Sequence, residues 1–347
     1  MRKEAVFRFS FGPWNIHEGA DVFGPPVRKT LPFAEKLKVY KKLGFDGVQF
    51  HDDDVVSSVD VPHDRIMGEA KEMKKMLDGE GLVAEFVAPR LWEHPNTIDG
   101  GYTANDPEIR KYAIDRSKIA IDIANVLGTK KIVLWPAREG VYVNESKDHV
   151  ASTERFIKAL NTMLEYDKEI KILGEMKPNE PMDQAYLPTT GHFLAITYKT
   201  VDPSRCGVLI ESAHAILAGL DPAVEMGYAI AHNKLWSVHL NDQNGLKFDE
   251  DRIFGAINLK RAFDQVLVLY DNGFGAEGEF VGFDVKALRT QKDDKATQHL
   301  ANSKEIFTML LDVVKTIDRK KIEEYREERN YEDLELFIVK NIMRAVN

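Results

Sequence analysis

Acidic and imidazole side chains stand at the ends of short apolar segments throughout this 347-residue sequence. The segment IKILGE ends in Glu175, and GVLIE ends in Glu211, three residues before His214. The full set of candidate residues is His51, Asp54, Glu175, Lys177, Glu211, His214, His239, Asp249, Asp251, Asp284 and Lys286. So many carboxylates directed at one cavity would repel one another unless cations lay among them. Their types predict a site for divalent ions such as Mg²⁺, Mn²⁺ or Co²⁺, and the number of ligands indicates two ions.

The segments that carry these residues have the character of strands, because they are short, apolar and rich in β-branched residues. They span residues 6–12, 45–51, 81–89, 131–136, 170–175, 207–214, 235–242 and 279–285. Apolar residues recur at helical spacing between them, as in Phe33, Leu37 and Tyr40 before Gly44. Eight alternating strands and helices predict an α/β fold, a (β/α)₈ TIM barrel over residues 1–318. In such a barrel the carboxyl ends of the strands meet at one mouth, which would bring the candidate residues together.

The last segment, residues 319–347, is charged at first and then apolar from Leu334 to Met343. This pattern predicts a short C-terminal helical arm that packs on a neighbouring subunit or on the flank of the barrel. We therefore expect a homo-oligomer, either a dimer or a tetramer.

Composition excludes several classes of protein. The net charge of −9 argues against a nucleic-acid partner, and the single cysteine, Cys206, excludes an intrachain disulfide and a cysteine-built zinc site. No apolar run approaches the roughly 18 residues that cross a bilayer, and the first residues do not resemble a signal peptide. We expect a cytoplasmic enzyme without a membrane partner that acts on a small polar molecule.

Several motifs, in collinear order, resemble the xylose isomerase family. They are FHDDD (50–54), DGGYTAND (99–106), REG (138–140), GEMKPNEP (174–181), ESAHAILAG (211–219), LNDQNGLKFDED (240–251) and VGFDVK (281–286). The resemblance implies a metal-dependent aldose–ketose isomerase that acts on a free sugar by a 1,2-hydride shift, with two divalent metal ions per subunit. Cations beside two neighbouring sugar oxygens would stabilise the charge that develops there.

The resemblance also assigns roles to individual residues. Glu175, Glu211 and Asp284 match ligands of a structural metal, and Glu211 would bridge to a catalytic metal held by His214, Asp249 and Asp251. His51 would promote ring opening while Asp54 holds its tautomer, Lys177 would donate to the carbonyl oxygen, and Asp251 would assist the base. The substrate-binding set is Trp92, Trp135, Trp14, Lys286 and Phe23 from a second subunit, with simple packing as the alternative for the tryptophans.

Two positions depart from the family pattern. The family motif H-I-D-L-N aligns with Ser237–Asn241, so His239 stands where an aspartate is expected. This ligand set resembles that of the L-rhamnose isomerases, and the softer imidazole predicts a preference for Mn²⁺ or Co²⁺ over Mg²⁺. Near the expected sugar site, Ala88 and Arg90 replace polar family residues. The physiological sugar therefore stays open.

Two other functions fit the same residues less completely. One is a sugar epimerase of the same barrel superfamily, which moves a proton with two glutamates and one metal. The other is a metal-dependent endonuclease of the related barrel type, which the acidic net charge disfavours.

Overall fold

The computed structural model describes residues 4–344, so residues 1–3 of the predicted barrel segment and 345–347 of the predicted arm lie outside the described residues. The strands are β1 (Phe9–Phe11), β2 (Gly47–His51), β3 (Val83–Ala88), β4 (Lys131–Leu134), β5 (Gly140–Val141), β6 (Lys171–Glu175), β7 (Gln184–Ala185), β8 (Cys206–Glu211), β9 (Leu235–Leu240) and β10 (Val281–Phe283). All except β5 and β7 form a closed parallel barrel in the order β1-β10-β9-β8-β6-β4-β3-β2. Each barrel strand overlaps one predicted segment, so the predicted TIM barrel is confirmed.

Helices follow the barrel strands and cover the outside of the barrel. They are α1 (Phe33–Leu43), α2 (Asp52–Val55), α3 (His63–Glu80), α4 (Pro107–Leu127), α5 (His149–Tyr166), α6 (Thr190–Thr197), α7 (Ser212–Leu217), α8 (Pro222–Ala231), α9 (Leu259–Asp271), α10 (Gln298–Thr316), α11 (Arg319–Glu328) and α12 (Tyr331–Arg344). Helix α4 shows how local sequence sets the boundaries, because Asp106 caps its first turn and Gly128 ends it at φ 84°. A left-handed residue at this position is favourable for glycine, which has no Cβ.

The strand register sets the mouth of the barrel. Glu175 and Glu211 are the last residues of β6 and β8, and Glu211 is in register with His239 on β9. His239 is in turn in register with Gly282 on β10, two residues before Asp284. A small apolar cluster that includes Phe86, Val133 and Leu209 makes up part of the barrel interior.

The C-terminal helices α11 and α12 lie against the flank of the barrel. Ile322, Ile338 and Ile342 are buried in the same core as the outer faces of the barrel strands. The boundary at residue 318 stays a prediction. Between residues 4 and 344, no helix is both long and apolar enough to cross a membrane.

Candidate active site

A cavity of about 800 Å³ opens at the carboxyl ends of the barrel strands. Most of the predicted site residues line it, namely Trp14, His51, Trp92, Trp135, Glu175, Lys177, Glu211, His214, His239, Asp249, Asp251, Asp284 and Lys286. Ala88 and Arg90, the two departures near the expected sugar site, also line the cavity. The fold therefore brings together residues that are spread over most of the sequence.

His239 lies at the centre of a carboxylate cluster. Its Nδ1 atom is 3.6 Å from Glu175 Oε1 and 3.5 Å from Glu211 Oε2. The same nitrogen is 3.9 Å from Asp284 Oδ2. These groups come from β6, β8, β9 and the residue after β10, four neighbouring strands of the barrel. One ligand atom each from Glu211, His239 and Asp284 lies within 4.8 Å of the others, close enough to hold one cation.

A second cluster adjoins the first and shares Glu211. His214 Nε2 lies 3.2 Å from Glu211 Oε1 and 3.0 Å from Asp249 Oδ2. Carboxylate oxygens of Glu211, Asp249 and Asp251 lie within 4.8 Å of one another. Glu211 therefore belongs to both clusters, and its role as a bridge between two ions stays a prediction.

The donor set fits a divalent cation. Among the described residues, His239 Nδ1, His214 Nδ1 and Asp249 Oδ1 are buried atoms that have no hydrogen-bond partner. Buried polar atoms of native proteins are normally paired, and unpaired ones at one place are explained by an ion. Mixed carboxylate and imidazole donors suit Mg²⁺, Mn²⁺, Co²⁺ and related ions. The cluster could hold at least one such ion.

The charges of the cluster strongly perturb its titration. Burial would raise the pKa of Glu175, but the neighbouring His239 and His214 outweigh it and lower this pKa to about 2. Burial raises the pKa of Glu211 well above its usual value, and the adjacent Glu175 and Glu211 carboxylates raise that of His239 despite its burial. These shifts favour protonated Glu211 and His239 in the metal-free protein, and a bound divalent cation would displace these protons and leave a lone pair on the His239 nitrogen that faces the cluster.

The two lysines of the cavity are paired with carboxylates. Lys177 Nζ donates to Asp249 Oδ2 at 3.0 Å and lies 2.9 Å from Glu180 Oε2. Lys286 forms an ion pair with Asp251. Burial and the neighbouring Asp249 charge raise the pKa of Asp251 to about 8, although Lys286 opposes this rise. A carboxyl group with such a pKa can exchange a proton near neutral pH.

His51 lies on the opposite side of the cavity, between aromatic rings. Trp14 stacks on its imidazole at 4.1 Å, and Trp92 contacts it edge-on at 5.1 Å. Asp54 Oδ2 lies 3.1 Å from His51 Nδ1, as the resemblance implies. Arg90 Nη2 approaches the same nitrogen at 2.5 Å. Arg90 therefore competes with Asp54 for this atom, a contact that the sequence did not predict.

The comparison with known protein families agrees with this geometry. The model of the family described as xylose isomerase-like TIM barrel matches residues 37–277, more than half of the chain. The chain belongs to the xylose isomerase-like TIM barrel family.

Several solved structures are similar in fold to this family member. A D-tagatose 3-epimerase-like protein is 18% identical with a TM-score of 0.64, over 89% of this chain and 98% of that one. D-psicose 3-epimerase from Clostridium cellulolyticum H10, solved with D-tagatose, is 13% identical with a TM-score of 0.61, over 88% and 99%. A xylose isomerase domain protein from Alicyclobacillus acidocaldarius is 13% identical with a TM-score of 0.58, over 89% and 100%. At these identities the similarity establishes the fold.

Two amides that hold the carboxylates were missed in the sequence. Asn241 Nδ2 donates to Glu211 Oε1 at 2.9 Å and to Asp251 Oδ1 at 3.2 Å. Asn15 Nδ2 donates to Asp284 Oδ1 at 2.6 Å, and the indole of Trp14 reaches the same oxygen at 3.1 Å. The position of Asn241, directly after the strand that carries His239, was the available signal.

Two predicted residues lie outside the cavity lining. Asp54 lies behind His51 and reaches the cavity only through that ring. Phe23 is 85% exposed and does not line the cavity of its own subunit, where Val22 does. Its contribution to a second subunit stays a prediction.

Proposed function

We propose that this protein is a metal-dependent enzyme that interconverts isomers of a free sugar, and that it acts as an epimerase at a carbon next to the carbonyl. The observation that carries the proposal is the pair of carboxylates, Glu175 and Asp284, on either side of His239. They belong to β6 and to the residue after β10, which are separated in the barrel by β8 and β9. Two acid–base groups that approach from different sides can invert a carbon centre.

Epimerisation removes a proton from one face of the carbon and returns one to the other face. One of the two carboxylates would accept the first proton, and the other would donate the second. Burial opposes the ionisation of Glu175, but the neighbouring His239 and His214 lower its pKa to about 2, which favours the form that accepts a proton. A divalent cation held by Glu175, Glu211, His239 and Asp284 would, when bound, stabilise negative charge on the substrate oxygens.

The remaining walls of the cavity suit a sugar. Trp14, Trp92 and Trp135 form an apolar surface, with Trp92 and Trp135 in edge-to-face contact at 4.7 Å. Such a surface packs against the C–H face of a sugar ring or chain and excludes water. Lys177 and His214 offer donors to the hydroxyl groups. The epimerase neighbours described above give this reaction further support.

A second candidate is the aldose–ketose isomerase that the motifs resemble. The specific observation in its favour is the second cluster of Glu211, Asp249 and Asp251, which Lys177 adjoins. A one-metal epimerase does not need this cluster, whereas a hydride shift between two carbons uses a second divalent ion beside the second oxygen.

The test begins with metal-free protein, which is supplied with Mg²⁺, Mn²⁺ or Co²⁺ and a panel of ketoses and aldoses in D₂O. We expect conversion only with metal, and deuterium from the solvent at the inverted carbon. Transfer of substrate hydrogen without exchange would support the isomerase instead. Conversion of no sugar with any ion would contradict both functions.

Variants locate the chemistry within the cavity. We expect Glu175→Gln and Asp284→Asn each to abolish conversion, because each removes one acid–base group. The control is Glu93→Gln, which changes a carboxylate at the rim of the same cavity that is 63% exposed. This variant is expected to retain activity. Equal loss in all three variants would contradict the assignment of the two groups.

We also propose that the enzyme is a cytoplasmic homo-oligomer, a dimer or tetramer, in which the epimerase reaction would need one divalent ion per subunit and the isomerase reaction two. The high exposure of Phe23 beside the cavity entrance supports a contact with a neighbouring subunit. Its ring is in edge-to-face contact with Phe248, with centroids 5.9 Å apart. Metal analysis gives the number of ions per subunit, and the mass of the protein in solution gives the number of subunits.

A further inference from the structure

The nitrogen of His239 that faces away from the carboxylate cluster enters a buried hydrogen-bond chain. His239 Nε2 lies 3.1 Å from Gln49 Oε1, and Gln49 Nε2 lies 3.2 Å from Glu85 Oε2. The three side chains come from β9, β2 and β3 and cross the interior of the barrel. Gln49 is 0% exposed and Glu85 is 2% exposed, so water does not supply these contacts.

Glu85 fixes the direction of this chain. The Ser237 hydroxyl donates to Glu85 Oε1 at 2.6 Å, and the Ser10 hydroxyl donates to Oε2. A carboxylate that is surrounded by donors only accepts, so the NH₂ group of Gln49 must face it. The amide oxygen of Gln49 then faces His239, whose Nε2 must carry the hydrogen. The lone pair of His239 is left on Nδ1, which points into the carboxylate cluster.

The neighbouring strand leaves room for this contact at Gly282. A Cβ atom at this position would lie 2.4 Å from Gln49 Nε2 and 3.2 Å from Cδ2 of His239. It would also lie 2.5 Å from the backbone oxygen of Val238, so the strand could not accept it without moving. The absence of a side chain on Gly282 therefore permits the amide and the imidazole to meet.

We infer that Gln49 and Glu85 are positioning residues, which orient the ring of His239 and direct its Nδ1 lone pair towards the cation. The inference rests on the proposed metal centre. Groups behind a metal-binding histidine commonly set its orientation and its basicity. Here an amide joins the histidine to a carboxylate that lies deeper in the barrel. A purely structural role would make these residues matter for stability and not for ion affinity.

The experiment measures Co²⁺ binding by metal-free protein, using the visible absorption of the bound ion and competition with a chelator. Gln49→Met keeps the side-chain volume and removes both polar contacts, and we expect it to weaken Co²⁺ binding by about 10- to 100-fold. Glu85→Gln should weaken Co²⁺ binding too. The new amide at position 85 can both donate and accept a hydrogen bond, so it no longer fixes whether the oxygen or the nitrogen of Gln49 faces His239. The Co²⁺ spectrum should change in both variants, because the imidazole of His239 no longer coordinates the ion.

The matched control is Ser237→Ala, which removes one donor to the same buried carboxylate and leaves the direction of Gln49 fixed. It is expected to lower stability while retaining the Co²⁺ affinity and spectrum of the unaltered protein. If Gln49→Met does not fold, Glu85→Gln carries the test alone, because it keeps the size of the buried side chain.

The possible failures are distinguishable. Co²⁺ binding by the unaltered protein together with unchanged binding by Gln49→Met and Glu85→Gln would overturn the positioning role alone. Equal weakening in Ser237→Ala would overturn it as well, because the effect would then follow stability. Failure of the unaltered protein to bind Co²⁺ would instead contradict the metal centre and the proposed function.

Discussion

Replacing Arg116 with methionine is expected to lower the free energy of unfolding by about 3–5 kcal/mol, because it leaves a buried carboxylate without its cation. Arg116 on α4 is 4% exposed, and Asp52 at the start of α2 is 0% exposed. Two parallel hydrogen bonds join them, from Nε to Oδ2 at 2.7 Å and from Nη2 to Oδ1 at 2.8 Å. Methionine retains the apolar stem and loses the charge.

The size of the effect follows from burial. Two unit charges about 4 Å apart interact by about 4 kcal/mol at an effective dielectric constant of 20, which agrees with the range for broken buried pairs. After the substitution, Asp52 would retain only the backbone N–H groups of Asp53 and Arg90, at 3.0 and 3.1 Å. Since Arg90 lines the cavity, the same change should also lower activity.

Equilibrium unfolding in denaturant at pH 7 measures the loss. Lys111→Met on the same helix is the control, since its ion pair with Asp115 at 2.7 Å is exposed to solvent and adds little stability. Adding Asp52→Asn to Arg116→Met should recover part of the lost free energy of unfolding, because it removes the buried, unpaired charge of Asp52. A loss in Arg116→Met no larger than that in Lys111→Met would refute the reasoning.

Three further predictions concern the ion, pH and the backbone. His239→Asp should raise the affinity for Mg²⁺ relative to Co²⁺ by about tenfold, because it exchanges a soft ligand for a hard one. If metal titrations give an unchanged ratio of the two affinities, His239 is not a ligand. Burial lowers the pKa of His299 to about 4. Between pH 6.5 and 4, the unfolded chain therefore binds a proton on His299 and the folded chain does not. The contribution of neutral His299 to the free energy of unfolding is present above pH 6.5 and is lost as the pH falls towards 4. The loss is about 2 kcal/mol between pH 7 and pH 5. Denaturant unfolding of His299→Gln should not show this pH-dependent loss. Gly275→Ala should lower the free energy of unfolding by about 3 kcal/mol, since φ is 88° and the Cβ would lie 1.8 Å from the Val6 carbonyl oxygen. In the same assay, Gly68→Ala on the exposed face of α3 should raise it by about 0.5–1 kcal/mol.

The eight barrel strands could be predicted because each is a short local signal. A buried parallel strand is a nearly continuous apolar run, and the residue where the run turns polar, such as Glu175 or Glu211, marks its carboxyl end. Barrel topology then places those ends at one mouth. The predicted set therefore came together even though no single motif defined it.

Other contacts depend on distances between strands that no local pattern encodes. His299 was left without a role in the sequence, yet it is buried and its Nε2 donates to the backbone oxygen of Asn15 at 2.7 Å. Arg90 was expected beside the sugar, but it also contacts His51 and forms ion pairs with Asp53 and Asp54. Both results depend on how loops fold back over the barrel.

By itself the sequence determined the barrel, its strand positions and the chemical types gathered at its mouth, because periodicity and residue type are local properties of the chain. Only the tertiary structure decided which atoms face one another. The strand register set Glu211 beside His239, and the closure of the barrel brought Gln49 and Glu85 behind that ring. Hydrogen-bond direction and lone-pair orientation depend on distances of a few ångströms between strands that are remote in sequence, so they arise only when the sheet closes.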